Sequence, residues 1–427
     1  MNYGKQIFDF ANEIFHINRS ITGEGVRQTL TAISKHIPKL EIKSVSSNTK
    51  VFDWVIPKEW KVNEAYIITP KGDKICDFNE NNLHLMGYSI PFKGSLNLNE
   101  LKNHLYTQKG QPNAIPYITS YYKERWGFCI SQNQYDKLEN GIYKVVVDTK
   151  LFDGELNYGE LKIMGKKEKE IFLSTYICHP SMANNELSGP TVVTFLAKWL
   201  EQCDNLEFSY RIIFIPETIG SISYLSLNLE EMKKKIIAGF NVSCVGDDRA
   251  YSYLPSRNGN TISDQAALHV LKWIDNNFKK YSWFDRGSDE RQYCAPGIDL
   301  PIATICRTKY GEYPEYHTSL DDLGNVVTTE GLNGGYWAIR KALEAIERNK
   351  KFKVKILCEP QMSKRGLYPT LSKKNSYNKV TLMMDFISFC DGKNSLLNIA
   401  DILNVPIWEL YELTNKLKYW EVVHYYY

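Results

Sequence analysis

Much is missing from this sequence. Nowhere do about eighteen apolar residues run together, the minimum for a membrane-spanning helix. The opening "MNYGKQIFDFANEIFHINRS" has no basic segment followed by an apolar run, so no signal peptide is expected. Nine cysteines are scattered singly, without a C-x-x-C pair. An odd count at irregular spacing does not look like a disulfide framework, and a reducing compartment is the simpler expectation. A net charge of +3 is too small to make nucleic acid or an anionic membrane the main partner. There is no G-x-S-x-G elbow, no P-loop and no H-E-x-x-H helix. Internal repeats and low-complexity tracts are also absent. These absences point to a cytoplasmic protein with no membrane partner.

What is present is length and pattern. A chain of 427 residues with 43% hydrophobic content exceeds one core and suggests two or three domains. Residues 1–37 carry apolar residues at helical spacing. Residues 51–138 are irregular and aromatic, with short strand-like runs broken by Pro and Gly, which predicts a small β-rich insertion. The middle alternates apolar strands, "YKVVVDT", "ELKIMG", "EIFLSTYIC", "YRIIFIPE" and "IIAGFNVSCVG", with helices such as "GPTVVTFLAKWLEQC". Fully apolar strands between helices predict an α/β fold, a doubly wound and mostly parallel sheet covered on both faces. Residues 1–50 and 139–350 are expected to form this core. Residues 354–427 read helix, helix, helix, strand, the layout of a winged helix.

In a doubly wound sheet ligands bind beyond the carboxyl ends of the strands. His179 follows "IFLSTYIC", Glu217 follows "RIIFIP", Asp247 and Asp248 follow "GFNVSCV", and His317 lies in "EYPEYHTSLDDL". Any one of these is ordinary, since a His at a strand end is usually structural and a Glu after a strand usually starts a helix. Together they form the two-histidine, carboxylate set that zinc uses when one position stays open. Cys178 and His179 are neighbours on a strand, point to opposite faces and make no nucleophile–base pair.

The order of these segments resembles the co-catalytic zinc aminopeptidases of the bacterial leucyl-aminopeptidase type. "HPSMANNELSG" is similar to their histidine followed by G-A-x-D-D-x-S-G, and "PETIGS" to their E-E-x-G-x-x-G-S. "GSDERQY" is similar to their Ser-Asp segment, and "YHTSLDD" to their Tyr-His-Thr-x-x-Asp. Nearly the whole chain resembles a group of bacterial aminopeptidase-like proteins with a small inserted domain and a C-terminal winged helix. Some of that group are associated with surface-polysaccharide gene clusters. The resemblance implies a hydrolase of a peptide or peptide-like amide, with Glu217 as general base.

The departures fall on metal ligands. Laid on the aminopeptidase pattern, the bridging Asp is Asn185, a ligand Glu is Thr218 and a ligand Asp is Ser243. Neutral side chains cannot offset the repulsion of two dications about 3.5–4 Å apart. The expectation is therefore one zinc, with a second left open. His179, His317 and a carboxylate from Asp247 or Glu186 would hold it. Asn185, Arg249, Arg257, Arg291 and Tyr316 are the candidate substrate-binding residues. The alternative is a non-catalytic binding protein built on a degenerate aminopeptidase site.

The expected third helix of the C-terminal module, "PIWELYELTNKLKYW", starts with Glu409 and Glu412. A recognition helix meets DNA with its first turns and needs cations at the phosphates. Nucleic acid is therefore not the expected partner. Trp408 and Tyr411 point instead to contact with the catalytic domain, a protein partner or a second copy of the chain.

Overall fold

Side chains along the strand Lys167–Tyr176 alternate between two buried layers: Ile171 and Leu173 enter one, Phe172 and Tyr176 the other. The strand Phe208–Ile215 divides the same way, with Ile212 and Phe214 opposite Ile213 and Ile215. A strand apolar on both faces must sit in the middle of a covered sheet. In the computed structural model, which describes residues 2–367 and 374–426, these two strands are central.

The sheet has eight strands in the order Glu41–Ser46, Glu155–Ile163, Phe208–Ile215, Lys167–Tyr176, Ile236–Asn241, Ile302–Cys306, Ser252–Leu254 and Lys279–Lys280. The four strands from Phe208–Ile215 to Ile302–Cys306 run parallel, and antiparallel strands flank them. The helices Ser188–Glu201 and Thr329–Glu347 bury their apolar sides on one face. The helix Ile219–Lys235 packs on the other, together with side chains of the second sheet. The doubly wound α/β expectation holds.

That second sheet has four antiparallel strands in the order Lys74–Ile75, Glu59–Ile68, Ile142–Phe152 and Phe92–Asn97. It corrects the limit expected at residue 138. "YKVVVDT" is a strand of the inserted sheet and not of the core. The residues Tyr143, Val145 and Val147 bury one face while their neighbours stay more open, the period-2 pattern of a sheet covered on one side.

At the C-terminus, the helices Lys374–Ser388, Leu396–Ile402 and Leu410–Tyr419 surround a three-stranded sheet of Asp391–Ser395, Lys351–Val354 and Val423–Tyr426. The module therefore takes in Lys351–Val354, ahead of the expected start at 354; residues 368–373 of that span lie outside the described residues. It sits against the core. Trp408 lies beneath Lys341 Nζ, 3.8 Å from the ring centre, and Tyr411 beneath the Arg348 guanidinium at 4.4 Å. His269 Nδ1 lies 2.6 Å from Asp401 Oδ1, and His269 Nε2 accepts the Ile407 N–H. Among the described residues no helix is long and apolar enough to cross a membrane.

Candidate active site

His179 stands three residues past the end of a central strand, where the chain leaves the sheet. Its Nδ1 meets Glu186 Oε2 at 2.8 Å. Glu186 comes from Ala183–Leu187, a single wide helical turn of the kind often found at functional sites. The other oxygen of Glu186 lies 3.3 Å from Nε of Arg19, which also donates to the carbonyls of His179 and Ile14. Arg19, Glu186 and His179 are all buried, so the pair is compensated where an isolated charge would be costly. Burial opposes the charged imidazole, but Cys178 and Glu186 outweigh it and hold its pKa well above the usual range. With Nδ1 engaged, Nε2 faces Glu217 Oε2 at 3.7 Å.

Cys178 does not point cleanly away from His179 as strand alternation predicts. Its sulfur lies 3.7 Å from His179 Nδ1, because the chain here is no longer extended strand. The thiol is no nucleophile: burial pushes it up to about 11, and it accepts the Glu217 N–H at 3.2 Å.

Glu217 is partly exposed. Ser288 Oγ donates to its Oε1 at 2.7 Å. Its desolvation raises its pKa against the opposing pull of His179 and Ser288. The next residue, Thr218, has a φ of 62°, strained for a branched side chain. Asp289 secures that bend by accepting from Thr218 N at 2.7 Å and Ser221 Oγ at 2.8 Å. Burial and the nearby Glu217 push Asp289 up to about 8, so it is largely protonated at neutral pH. Arg291 leans over the same corner, with Nη2 3.2 Å from Thr218 Oγ1.

His317 also has a left-handed backbone, φ 57°. Its ring stacks on Tyr316 at 3.9 Å and lies 5.7 Å from the His179 ring, centre to centre. Burial, reinforced by His179, lowers its pKa to about 3, so the imidazole is neutral. Tyr117, from the segment before the inserted sheet's last strand, sets its edge against both histidines at 5.3 and 5.2 Å.

The other expected site residues are tied elsewhere. Asp247 accepts four hydrogen bonds, from Asn184 Nδ2, Arg249 N, Thr308 N and Thr308 Oγ1. These four bonds give it a structural role in the turn. Arg249 forks onto Glu315, and Arg257 pairs with Asp299. Asn185 stays in the site: its Oδ1 accepts from Tyr176 OH, and its buried Nδ2 has no partner among the described residues. Sequence reasoning missed Arg19, Tyr117, Asp289 and Asp321. Asp321 receives the N–H groups of Asn184 and Asn185 and the Tyr313 hydroxyl, which fixes the turn that carries Glu186. It is the second-last residue of "YHTSLDD", a motif that signalled a role for it.

These donors do not fit a two-metal centre. Asn185, Thr218 and Ser243 are neutral, and the buried Ser243 hydroxyl is unpartnered among the described residues. Among the described residues, the three-residue His/Cys/Asp/Glu cluster with ligand atoms within 4.8 Å of one another is Cys178, His179 and Glu186, on the side that Arg19 closes. Glu186 is engaged with His179 and braces its imidazole. A carboxylate bracing Nδ1 is nonetheless the arrangement that orients a metal-binding imidazole. His317, neutral, and Glu217 lie on the side to which the outward Nε2 of His179 turns, so the donors there are two imidazoles and one carboxylate.

The fold and this corner define an aminopeptidase-like α/β protein. The chain belongs to the family described as a domain of unknown function, DUF4910, whose pattern matches residues 8–349, and residues 350–424 match a winged helix-turn-helix. A Clostridium acetobutylicum protein named for polysaccharide biosynthesis and an aminopeptidase-like domain is 45% identical over 93% of this chain and 91% of its own. A crystal structure from Clostridium acetobutylicum, described as that of a peptidase, shares 42% identity at a TM-score of 0.93, covering 99% of this chain and 96% of that one. The zinc aminopeptidase from Bacillus subtilis, at 13% identity and a TM-score of 0.59 over 81% of this chain and 95% of that one, shares the fold.

Proposed function

We propose that the protein is a cytoplasmic aminopeptidase-like hydrolase that cleaves a peptide or peptide-like amide, with Glu217 as its general base and one zinc ion held by His179 and His317. One observation carries this reading: His179 is braced at Nδ1 by Glu186 while Nε2 faces Glu217 at 3.7 Å. When bound, zinc supplies Lewis-acid polarisation of the scissile carbonyl and lowers the pKa of water. Glu217 takes the proton of the attacking water and returns it to the leaving amine. Its raised pKa makes it a stronger base than an ordinary carboxylate. Arg291 and Tyr316 flank the corner, where a donor would steady the developing oxyanion or hold a substrate carboxylate. The name of the Clostridium relative supports a substrate connected with polysaccharide biosynthesis.

The neutral residues at 185, 218 and 243 favour a second reading, a binding protein that keeps the pocket without catalysis. Metal analysis of purified protein, followed by assay of the zinc-loaded chain on a broad panel of peptides and amides, separates the two. Hydrolysis that Glu217→Gln abolishes is expected. A zinc-loaded parent inert on the whole panel would leave the binding reading.

A further inference from the structure

A cleft of about 470 Å³ lies between the core and the winged-helix module, lined by none of the strand-end site residues. That volume is in the range of small-molecule sites, which favour such domain boundaries. One wall is the third helix of the module. Tyr411, Thr414, Asn415 and Lys418 line the cleft from positions three and four apart, a single stripe of that helix. In a DNA-binding winged helix the exposed stripe of this helix would enter a groove. Here the stripe faces the protein's own core.

The charges in the cleft are unevenly used. Its three carboxylates all have partners. Glu347 receives Glu207 N, Phe208 N and Tyr210 OH, Glu344 receives Arg340, and Glu207 pairs with Lys167 and Lys350. Three cations, Lys166, Arg348 and Lys418, are exposed at the cleft and have no carboxylate partner among the described residues, although Lys418 Nζ donates to the Tyr425 hydroxyl at 3.1 Å. Arg348 rests on the Tyr411 ring and Lys418 on the Tyr425 ring, so both heads are placed without being neutralised. The Tyr411 hydroxyl is buried in the same wall and has no partner among the described residues. Unneutralised Arg and Lys suit a phosphate. Asn205, Thr414 and Asn415 offer donors and acceptors for hydroxyl groups.

We propose that this cleft binds a phosphorylated, hydroxyl-bearing small molecule of the sugar-phosphate class, and that the winged helix serves as its wall. The phosphate lies between Arg348, Lys418 and Lys166, and the hydroxyls meet the amides and the Tyr411 O–H. The test is calorimetric titration of the full chain with glucose 1-phosphate, inorganic phosphate and glucose. Glucose 1-phosphate is expected to bind, inorganic phosphate more weakly and glucose not at all. The double variant Arg348→Ala, Lys418→Ala should weaken glucose 1-phosphate by about tenfold or more with its circular dichroism unchanged. Tyr411→Phe, which keeps every charge, should weaken it by a smaller factor. Glu217→Gln should leave it untouched, so this result stands apart from any failure of the catalytic reading. No heat from either phosphate at millimolar concentration, undiminished binding by the double variant, or equal binding of phosphate and glucose 1-phosphate would overturn the proposal.

Discussion

The two clefts hold similar side chains and treat them in opposite ways. At the strand ends the polar groups are buried and tied to one another. Asp247 has four donors, Asp321 has three, and Glu186 lies between Arg19 and His179. Beside the winged helix the carboxylates are tied, and Lys166, Arg348 and Lys418 are left without a carboxylate partner among the described residues. The difference teaches that a residue type near a pocket says little until its partners are counted. A buried polar group must be satisfied, and the fold usually does this itself. What remains for a ligand is the small remainder: Glu217, the outward nitrogen of His179 and the His317 ring in one cleft, and Arg348 and Lys418 in the other.

The largest effect should come from removing one of these uncommitted groups. Glu217→Gln is expected to lower hydrolysis by about 10²–10⁴-fold with fold and metal content intact, measured as turnover on any amide the parent cleaves. A variant as active as the parent would move the base elsewhere.

The next test sets a brace against a tied carboxylate. Glu186→Gln should weaken zinc binding by about 10–100-fold, because the imidazole loses the carboxylate that orients it. Asp247→Asn should leave zinc content after dialysis unchanged and cost about 1–3 kcal/mol of stability through its broken hydrogen bonds. Equal zinc loss in both variants would restore Asp247 as a ligand.

A smaller effect concerns pH. Asp289 has a folded pKa of about 8, above the ordinary carboxylate value of about 3.9. The folded state therefore holds its proton more tightly than the unfolded chain. That contribution to stability is complete below about pH 4 and is lost as pH rises through about 8. Asp289→Asn removes this slope. Denaturant unfolding at pH 6 and pH 9 should show the parent losing more stability than the variant; parallel losses would contradict the assignment.

The smallest expected change follows Trp408→Ala. Its ring contact with Lys341 is worth about 0.5–1 kcal/mol. Limited proteolysis should cut faster beside the module while the core resists. An unchanged cleavage rate would mean that Trp408 contributes nothing to docking.

The core was readable because its strands are apolar on both faces and alternate with helices, and the winged helix because its three helices are short and well punctuated. His179, Glu217 and His317 were readable as residues at or beyond strand ends. The partners of Asp247 and Arg249, Thr308 and Glu315, were not legible because they are remote in sequence. "YKVVVDT" was placed in the wrong sheet because an apolar strand does not name its neighbour; only the pairing with Glu59–Ile68 and Phe92–Asn97 does. The role of Glu186 was hidden for a related reason. From sequence a carboxylate near a histidine reads equally as ligand or brace, and only the structure shows its hydrogen bond to Nδ1.

Tyr117 has a consequence for how the protein comes to be active. Residues 115–119 are stitched to the histidine segment by main-chain bonds: Tyr117 N to His317 O, and Ser319 N to Ile115 O. About two hundred positions separate the partners in the chain, as the Ile115 N to Ser319 Oγ bond illustrates with a separation of 204. Contacts of such span are slow to close, because chain entropy must be lost before they form. The ring that covers both imidazoles is therefore held in place by contacts that close only when remote parts of the chain have met.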